Sequence, residues 1–131
     1  MKIKIAVDAT PIISALIGGF SRNILFDNKF NFISTEYTLR EVRKYLCQIS
    51  KKSGIAEKEI EAALSLLPIK ICSRDYYKNK IEKADKIMSE IDKKDVDILA
   101  LSFKENCHIW SEDKYFRNKE RINLIRTKDF I

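Results

Sequence analysis

The stretch that decides the fold is Asp92–Asp113, which reads DKKDVDILALSFKENCHIWSED. Residues Val96 to Phe103 are apolar almost all round, which predicts a central, buried helix with Asp92 as its cap. Asn106 marks the end of that helix, and the apolar run His108 to Ser111 predicts a short strand. A helix that leads into a strand is the unit from which parallel sheets are built.

The remainder of the chain alternates strands and helices in the same way. Further strands are predicted at Ile3–Val7, Phe30–Ser34, Ile69–Cys72 and Ile122–Ile125. Helices are predicted at Pro11–Ile17, after the caps Ser21, Thr35 and Ser73, and before Pro68. The helix after Thr35 is expected to be long, with an apolar stripe formed by Leu39, Val42, Leu46 and Ile49. Asp113 to Lys119 is expected to form a polar turn or short helix. This order predicts an α/β fold in which helical layers cover both faces of a parallel sheet of four to five strands.

Composition limits the class of protein. The 131 residues suit one domain, residues 1–131, and 45% of them are hydrophobic, which favours a packed core. The three cysteines lack any CxxC spacing, which argues against a disulfide framework and a zinc site. No apolar run approaches the length of a membrane span and the start lacks the pattern of a signal peptide, so we expect a soluble cytoplasmic protein. The net charge of +6 favours a polyanionic partner, with solvated lysine faces as the alternative.

Four acids, far apart in the sequence, are predicted to meet at the carboxyl edge of the sheet. Asp8 ends the first strand and Asp113 follows the fourth, whereas Glu41 and Asp95 lie near the start of helices that begin at this edge. Each acid alone has an ordinary explanation. Asp8 could be a turn residue and Glu41 a surface glutamate. Asp95 could complement the helix dipole, and Asp113 could be a cap. Their convergence on one edge favours a shared purpose.

A group of carboxylates needs a cation. Two carboxylates about 4 Å apart repel by roughly 4 kcal/mol at an effective dielectric near 20. A hard divalent ion removes that repulsion, and oxygen-only ligands suit Mg²⁺ or Mn²⁺. An acidic site on a basic protein is the arrangement expected of a nuclease, in which lysines and arginines hold phosphates and the acids hold metal ions.

Four segments of the chain resemble the PIN-domain family of ribonucleases. They are IAVDAT at the start, TLREV around Glu41, DKKDVDILALS around Asp95 and WSEDKYF around Asp113. The resemblance covers nearly the whole chain. It implies a three-layer α/β/α fold, cleavage of RNA with one or two divalent ions, and, as in many bacterial and archaeal members, a toxin that is paired with an antitoxin and forms a homodimer.

The resemblance also implies roles for particular residues. It assigns Asp8, Glu41, Asp95 and Asp113 to the metal and to catalysis, with Thr10 and Ser111 as supporting hydroxyls. Asp97 departs from the common pattern, in which an apolar residue or proline is usual. We expect Asp97 to face solvent, with a role as a fifth ligand as the alternative.

The function that these features favour is hydrolysis of RNA phosphodiester bonds by metal-activated water, in an Mg²⁺- or Mn²⁺-dependent endoribonuclease. The alternative is a non-catalytic module that binds RNA or protein on the same fold. A phosphatase of the haloacid-dehalogenase type needs a second aspartate where Thr10 stands. A receiver domain needs an acidic neighbour that Asp8 lacks. His108, the only histidine, is expected at the opposite edge of the sheet in a structural role.

One helix is a candidate surface for a protein partner. Tyr76, Tyr77, Ile81 and Met88 are predicted to lie on the helix that follows Ser73, where they could serve a dimer or an antitoxin. Core packing is the favoured explanation for such an amphipathic stripe.

Overall fold

The predicted strands are all present and form one parallel sheet. In a computed structural model, which describes residues 2–88, 95–116 and 122–131, they are β1 (Ile3–Val7), β2 (Phe30–Thr35), β3 (Ile69–Cys72), β4 (His108–Trp110) and β5 (Leu124–Ile125). Their order across the sheet is β3-β2-β1-β4-β5, and every neighbouring pair is parallel. The expected parallel sheet of four to five strands is therefore confirmed with five.

The helices occupy the connections between the strands. They are α1 (Ala9–Leu16), α2 (Ser21–Leu25), α3 (Glu36–Lys44), α4 (Leu46–Ser53), α5 (Glu57–Leu66), α6 (Arg74–Tyr77), α7 (Ile81–Met88) and α8 (Val96–Glu105). The ends of several helices follow from local chemistry. The Thr35 hydroxyl accepts the backbone N–H of Thr38 and caps α3, and α4 and α8 end at left-handed Gly54 and Asn106.

The two faces of the sheet bury separate apolar layers, because successive strand side chains point in opposite directions. Ile5 and Val7 of β1 pack with α1, α2 and the α3–α5 helices on one face. Ala6 packs on the other face against residues of α7 and α8. The molecule is therefore a three-layer α/β/α structure, as expected. No helix in the described ranges is long and apolar enough to cross a membrane.

The helical stripe after Ser73 belongs to the core. Tyr77 and Met88 are fully buried, which confirms the core-packing interpretation for these two side chains, whereas Tyr76 is 46% exposed. His108 is the first residue of β4 and is exposed, at the amino edge of the sheet as expected.

Most boundaries agree with the prediction to within two residues, and the larger differences concern two helices and the last strand. The long helix after Thr35 is divided at Tyr45 into α3 and α4, and the helix after Ser73 is divided by a 3-10 turn at Lys78–Lys80. The strand β5 is limited to Leu124–Ile125. The predicted cap Asp92 and the end of the polar turn predicted at Asp113–Lys119 lie outside the described residues.

The strand order places a crevice between β1 and β4. The chain winds in one direction from β1 to β3 and in the other from β4 to β5, so the order reverses between these two neighbours. In open parallel sheets such a switch point leaves a crevice at the carboxyl ends of the strands, and ligands bind there.

Candidate metal centre

Three aspartates meet in that crevice. Asp8 follows β1 and caps α1, Asp95 directly precedes α8, and Asp113 lies three residues after the end of β4. One carboxylate oxygen from each lies within 4.8 Å of the other two. Asp95 is 2% exposed, and the other two are partly buried. We call these three residues the acid cluster.

Ser111 connects two members of the acid cluster. Its buried hydroxyl donates a hydrogen bond to Oδ2 of Asp8 at 2.7 Å and accepts one from the backbone N–H of Asp113 at 3.0 Å. The other oxygen of Asp8 accepts the N–H of Ala9 at 2.8 Å. Ser111 thus lies beside the acids, where a supporting hydroxyl was expected. Its hydrogen bonds fix the direction in which the Asp8 carboxylate points.

Electrostatic repulsion within the acid cluster is large. At the limiting separation of 4.8 Å and an effective dielectric near 20, each pair of ionised carboxylates repels by at least about 3.5 kcal/mol. The N-termini of α1 and α8 lie at Asp8 and Asp95, but a helix dipole contributes only about 0.3–1 kcal/mol to a nearby anion. The local peptide dipoles therefore cannot offset the repulsion. A hard divalent cation could, and the three oxygen donors are ligands of the type that Mg²⁺ or Mn²⁺ prefers.

Glu41 lies in the same cleft but outside the acid cluster. It lines the cleft together with the three aspartates, and its Oε1 forms an ion pair with Nζ of Lys44 at 3.0 Å. The predicted group of four acids is therefore a tight group of three with a fourth carboxylate farther along the wall. Thr10 also lines the cleft, with its side chain exposed.

Asp97 is buried, so the expectation that it faces solvent is wrong. Only 7% of the residue is exposed, and its Oδ2 accepts a hydrogen bond of 2.6 Å from the Tyr77 hydroxyl. Nε of Arg74 approaches the same oxygen to 3.8 Å. Burial and the hydrogen bond to Asp97 raise the pKa of Tyr77 well above its usual value, so the phenol remains a donor. Asp97 is thus held in the core beside α6, and it is not one of the three clustered acids.

The cleft around the acids has a volume of about 500 Å³. Part of its lining is apolar and comes from Ile13 of α1 and from Ile17, the C-cap of that helix. Further lining residues come from α3, α4 and the joint between them, and four of these were not identified by the motif analysis: Tyr37, Tyr45, Gln48 and Lys52. Tyr37 lies four residues before Glu41, and Tyr45, Gln48 and Lys52 lie four, seven and eleven residues after it. This spacing would have placed the four residues on one helical face with Glu41.

A second groove, of about 610 Å³, lies at the amino end of the sheet, away from the acids. Two carboxylates line it. Asp27 accepts the backbone N–H of Lys29 at 2.9 Å, and Glu105 pairs with Lys4 at 2.8 Å and accepts a hydrogen bond from the Tyr76 hydroxyl. These two contacts hold the pKa of Glu105 below its usual range. Neither carboxylate of the larger groove belongs to a cluster of acids, whereas the smaller cleft carries the clustered acids that can bind a metal.

Comparisons with known proteins agree on the fold. A family model described as PIN domain matches residues 6–124. In the crystal structure of VapBC2 from Rickettsia felis bound to a DNA fragment from their promoter, one chain is 14% identical to this one. That match covers 95% of this chain and 98% of the other, with a TM-score of 0.68. PAE2754 from Pyrobaculum aerophilum is 13% identical, with 99% and 93% coverage and a TM-score of 0.66. At these identities the similarity concerns the fold alone. No curated protein sequence matches the chain.

Proposed function

Because the chain belongs to the PIN-domain family, we propose that it is an endoribonuclease that hydrolyses RNA phosphodiester bonds and depends on Mg²⁺ or Mn²⁺. The observation that carries the proposal is the acid cluster, in which oxygens of Asp8, Asp95 and Asp113 lie within 4.8 Å of one another at the carboxyl edge of the sheet. We assign metal binding to these three residues and a place beside the metal to Glu41.

The donor set fits a hard divalent cation. The three ligands are carboxylate oxygens, and their repulsion of at least about 3.5 kcal/mol for each pair favours a bound cation over an empty site. When bound, the ion supplies a water molecule of lowered pKa and a positive charge beside the phosphate.

Contacts within the chain hold the proposed metal ligands in place. Ser111 orients Asp8 and ties it to the backbone of Asp113, so these two acids are the main ligands in our proposal. Asp95 completes the set from the start of α8. Glu41, with its ion pair to Lys44, lies on the cleft wall where it can orient water or a leaving group. The net charge of +6 favours attraction of the RNA backbone.

Asp8→Asn provides the direct test, because it keeps the size and the capping oxygen of Asp8 and removes the charge. We expect the wild-type protein to cleave a labelled RNA with Mn²⁺ and to lose that activity in EDTA, and we expect the variant to be inactive in both. Cleavage by the variant at the wild-type rate, or cleavage that resists EDTA, would contradict the proposal. Salt-dependent RNA binding without product after long incubation would support the non-catalytic binding module instead.

A partner protein is the second part of the proposal. We propose that the chain acts in the cytoplasm as the toxin of a toxin–antitoxin pair and forms a homodimer. The support is the similarity in fold to a chain of the VapBC2 structure, together with the exposed apolar side chain of Phe20, which directly precedes α2. Light scattering of the purified chain tests the dimer. If a small reading frame lies next to the gene, expression tests the antitoxin: the chain alone should stop growth, and co-expression with the product of that reading frame should restore it.

A further inference from the structure

The amino half of one sheet face is not covered by the helices. One residue from each of β1, β2 and β3 is buried in the apolar layer that includes α7 and α8: Ala6, Ile33 and Cys72. Two residues before each of these stand Lys4, Asn31 and Lys70, and all three are exposed. Because side chains two residues apart on a strand point the same way, these polar side chains continue the same face towards the amino edge of the sheet.

This uncovered face belongs to the second groove, of about 610 Å³, which Lys4, Asn31 and Lys70 all line. We call it the amino-edge groove. Its volume lies within the range of about 300–1,000 Å³ that is usual for small-molecule sites. It shares no lining residue with the cleft around the acid cluster. The amino-edge groove is therefore a separate cavity, to which the proposed ribonuclease function gives no role.

The amino-edge groove contains ammonium groups that are available to an anion. Of its three lysines, Lys4 is paired with Glu105 at 2.8 Å. Lys2 and Lys70 are exposed, and within the described part of the chain neither forms a hydrogen bond or ion pair. The charge of Lys70 also acts on Glu105 and helps to lower its pKa, which places Lys70 near the Lys4–Glu105 pair. Two cations of the groove thus have no intramolecular counter-ion.

Tyr76 gives the amino-edge groove an aromatic surface that is already held in position. Its hydroxyl donates a hydrogen bond to Glu105, and Nζ of Lys104 lies 5.5 Å from the centroid of its ring. The residue nevertheless remains 46% exposed. A flat ligand can stack on such a ring with little loss of side-chain freedom, because the ring is already fixed.

The remaining polar groups of the amino-edge groove suit a ligand with hydroxyl and amide-like groups. Asn28 and Asn31 are exposed, and their side-chain amides form no hydrogen bond within the described ranges. Each amide offers donors and an acceptor, as the edge of a nucleobase does. The Asp27 carboxylate, which accepts the backbone N–H of Lys29, disfavours a ligand that is anionic throughout and can accept a hydrogen bond from a sugar hydroxyl.

From these features we propose that the amino-edge groove binds a nucleoside monophosphate. The phosphate lies against Lys2 and Lys70, the base stacks on Tyr76, and the two asparagine amides contact polar atoms of the base. A phosphate monoester carries a charge of about −1.5 to −2 at neutral pH, which matches two ammonium groups. A longer polyanion would bring further phosphates towards Asp27 and Glu105, so the groove favours a ligand with a single phosphate.

A heteronuclear NMR titration of the full chain measures both the affinity and the place of binding. EDTA keeps metal ions away from the acid cluster during the titration. The probes are the ribonucleoside monophosphates, the corresponding nucleosides and inorganic phosphate. At least one monophosphate should bind at least about 10-fold more tightly than its nucleoside and than inorganic phosphate, since only the monophosphate makes both sets of contacts. The backbone resonances of Asn31 and Lys70 should shift, and those of Asp8 and Asp113 should not.

Lysine variants test the phosphate contact. Lys70→Gln should weaken binding of the monophosphate and of inorganic phosphate about 10-fold, the lower end for a hydrogen bond to a charged group because Lys70 is exposed. Lys51→Gln, at an exposed lysine that does not line the groove, is the matched control and should bind normally. Equal affinities for these two variants would overturn the proposed phosphate position.

Tyrosine variants test the stack on the base. Tyr76→Leu should weaken binding of the monophosphate about 5- to 100-fold, the range for loss of one base–aromatic stack, and leave inorganic phosphate unaffected. Tyr76→Phe keeps the ring and should keep most of the affinity. Tyr115→Leu is the matched control, because Tyr115 is similarly exposed and has Lys114 over its ring but lies outside the groove.

The outcomes separate this proposal from the ribonuclease assignment. Inorganic phosphate that binds as tightly as every monophosphate, or shifts confined to the acid cluster, would overturn the nucleotide site. Asp8→Asn should abolish RNA cleavage and leave binding of the monophosphate unchanged. If the wild-type protein cleaves no RNA while Lys70 and Tyr76 still determine monophosphate binding, the ribonuclease assignment fails and the nucleotide site stands.

Discussion

Replacing Ser111 with alanine tests how the acid cluster is held together. The buried hydroxyl makes one hydrogen bond to a carboxylate of Asp8 and one to the backbone of Asp113. A hydrogen bond to a charged group contributes about 1.5–3 kcal/mol and one between neutral groups about 0.5–1.5 kcal/mol. Because Asp8 is partly exposed, we take the lower half of the sum and expect the free energy of unfolding to fall by about 2–3 kcal/mol.

The same substitution should weaken metal binding. A residue that orients a ligand from the second layer typically contributes a factor of about 10–100 to metal affinity. Urea denaturation measures the stability of Ser111→Ala, and calorimetric titration with Mn²⁺ measures the affinity of the folded protein. We expect both to fall.

Ser102→Ala is the matched control for Ser111→Ala. Ser102 is also buried, and its hydroxyl donates to the carbonyl of Leu99 at 2.7 Å inside α8. This control should lower the free energy of unfolding by about 1 kcal/mol and leave Mn²⁺ affinity unchanged. The reasoning is refuted if folded Ser111→Ala binds Mn²⁺ as tightly as the wild type, or if Ser102→Ala weakens binding equally.

Three further predictions concern residues around the site. Tyr77→Phe should lower the free energy of unfolding by about 2–3 kcal/mol, since it leaves a buried carboxylate without its hydroxyl donor. Tyr115→Phe, at an exposed ring, should change it by no more than about 0.5 kcal/mol, and equal urea midpoints for the two variants would show that the buried hydrogen bond is not formed. Glu41→Gln should reduce Mn²⁺ affinity less than an aspartate-to-asparagine change in the acid cluster, and an equal calorimetric loss would place Glu41 among the ligands. Cys47 is exposed, whereas burial raises the pKa of Cys107 to about 11. Iodoacetamide at pH 8 should therefore label Cys47 first, and it should label Cys107 only as the pH approaches the pKa of that thiol. Equal labelling rates at pH 8, measured by mass spectrometry, would contradict the burial of Cys107.

Much of the fold could be predicted because its signals are local. The apolar residues of Ile3–Val7 indicate a strand, and the nearly all-apolar helix beginning at Val96 indicates a buried, central helix. Since carboxyl ends of parallel strands share an edge, the proximity of Asp8 and Asp113 follows from the order of the elements. The division of the long helix at Tyr45 could not be predicted in this way, because no glycine or proline stands there.

The candidate site was predicted less completely. The position of Glu41 on the correct helix face did not determine its distance from the other acids, which depends on how α3 packs against α1. The environment of Asp97 was predicted wrongly from the general exposure of aspartates. The better signal was its place inside a helix that is apolar almost all round, because such a helix has no solvent face on which a carboxylate could lie.

The central claim is that one cation binds where the acid cluster meets, and anomalous diffraction from a crystal soaked in Mn²⁺ measures this directly. The account predicts a peak at about 2.0–2.2 Å from carboxylate oxygens of Asp8, Asp95 and Asp113. A well-ordered crystal that shows all three carboxylates and no peak between them would contradict it.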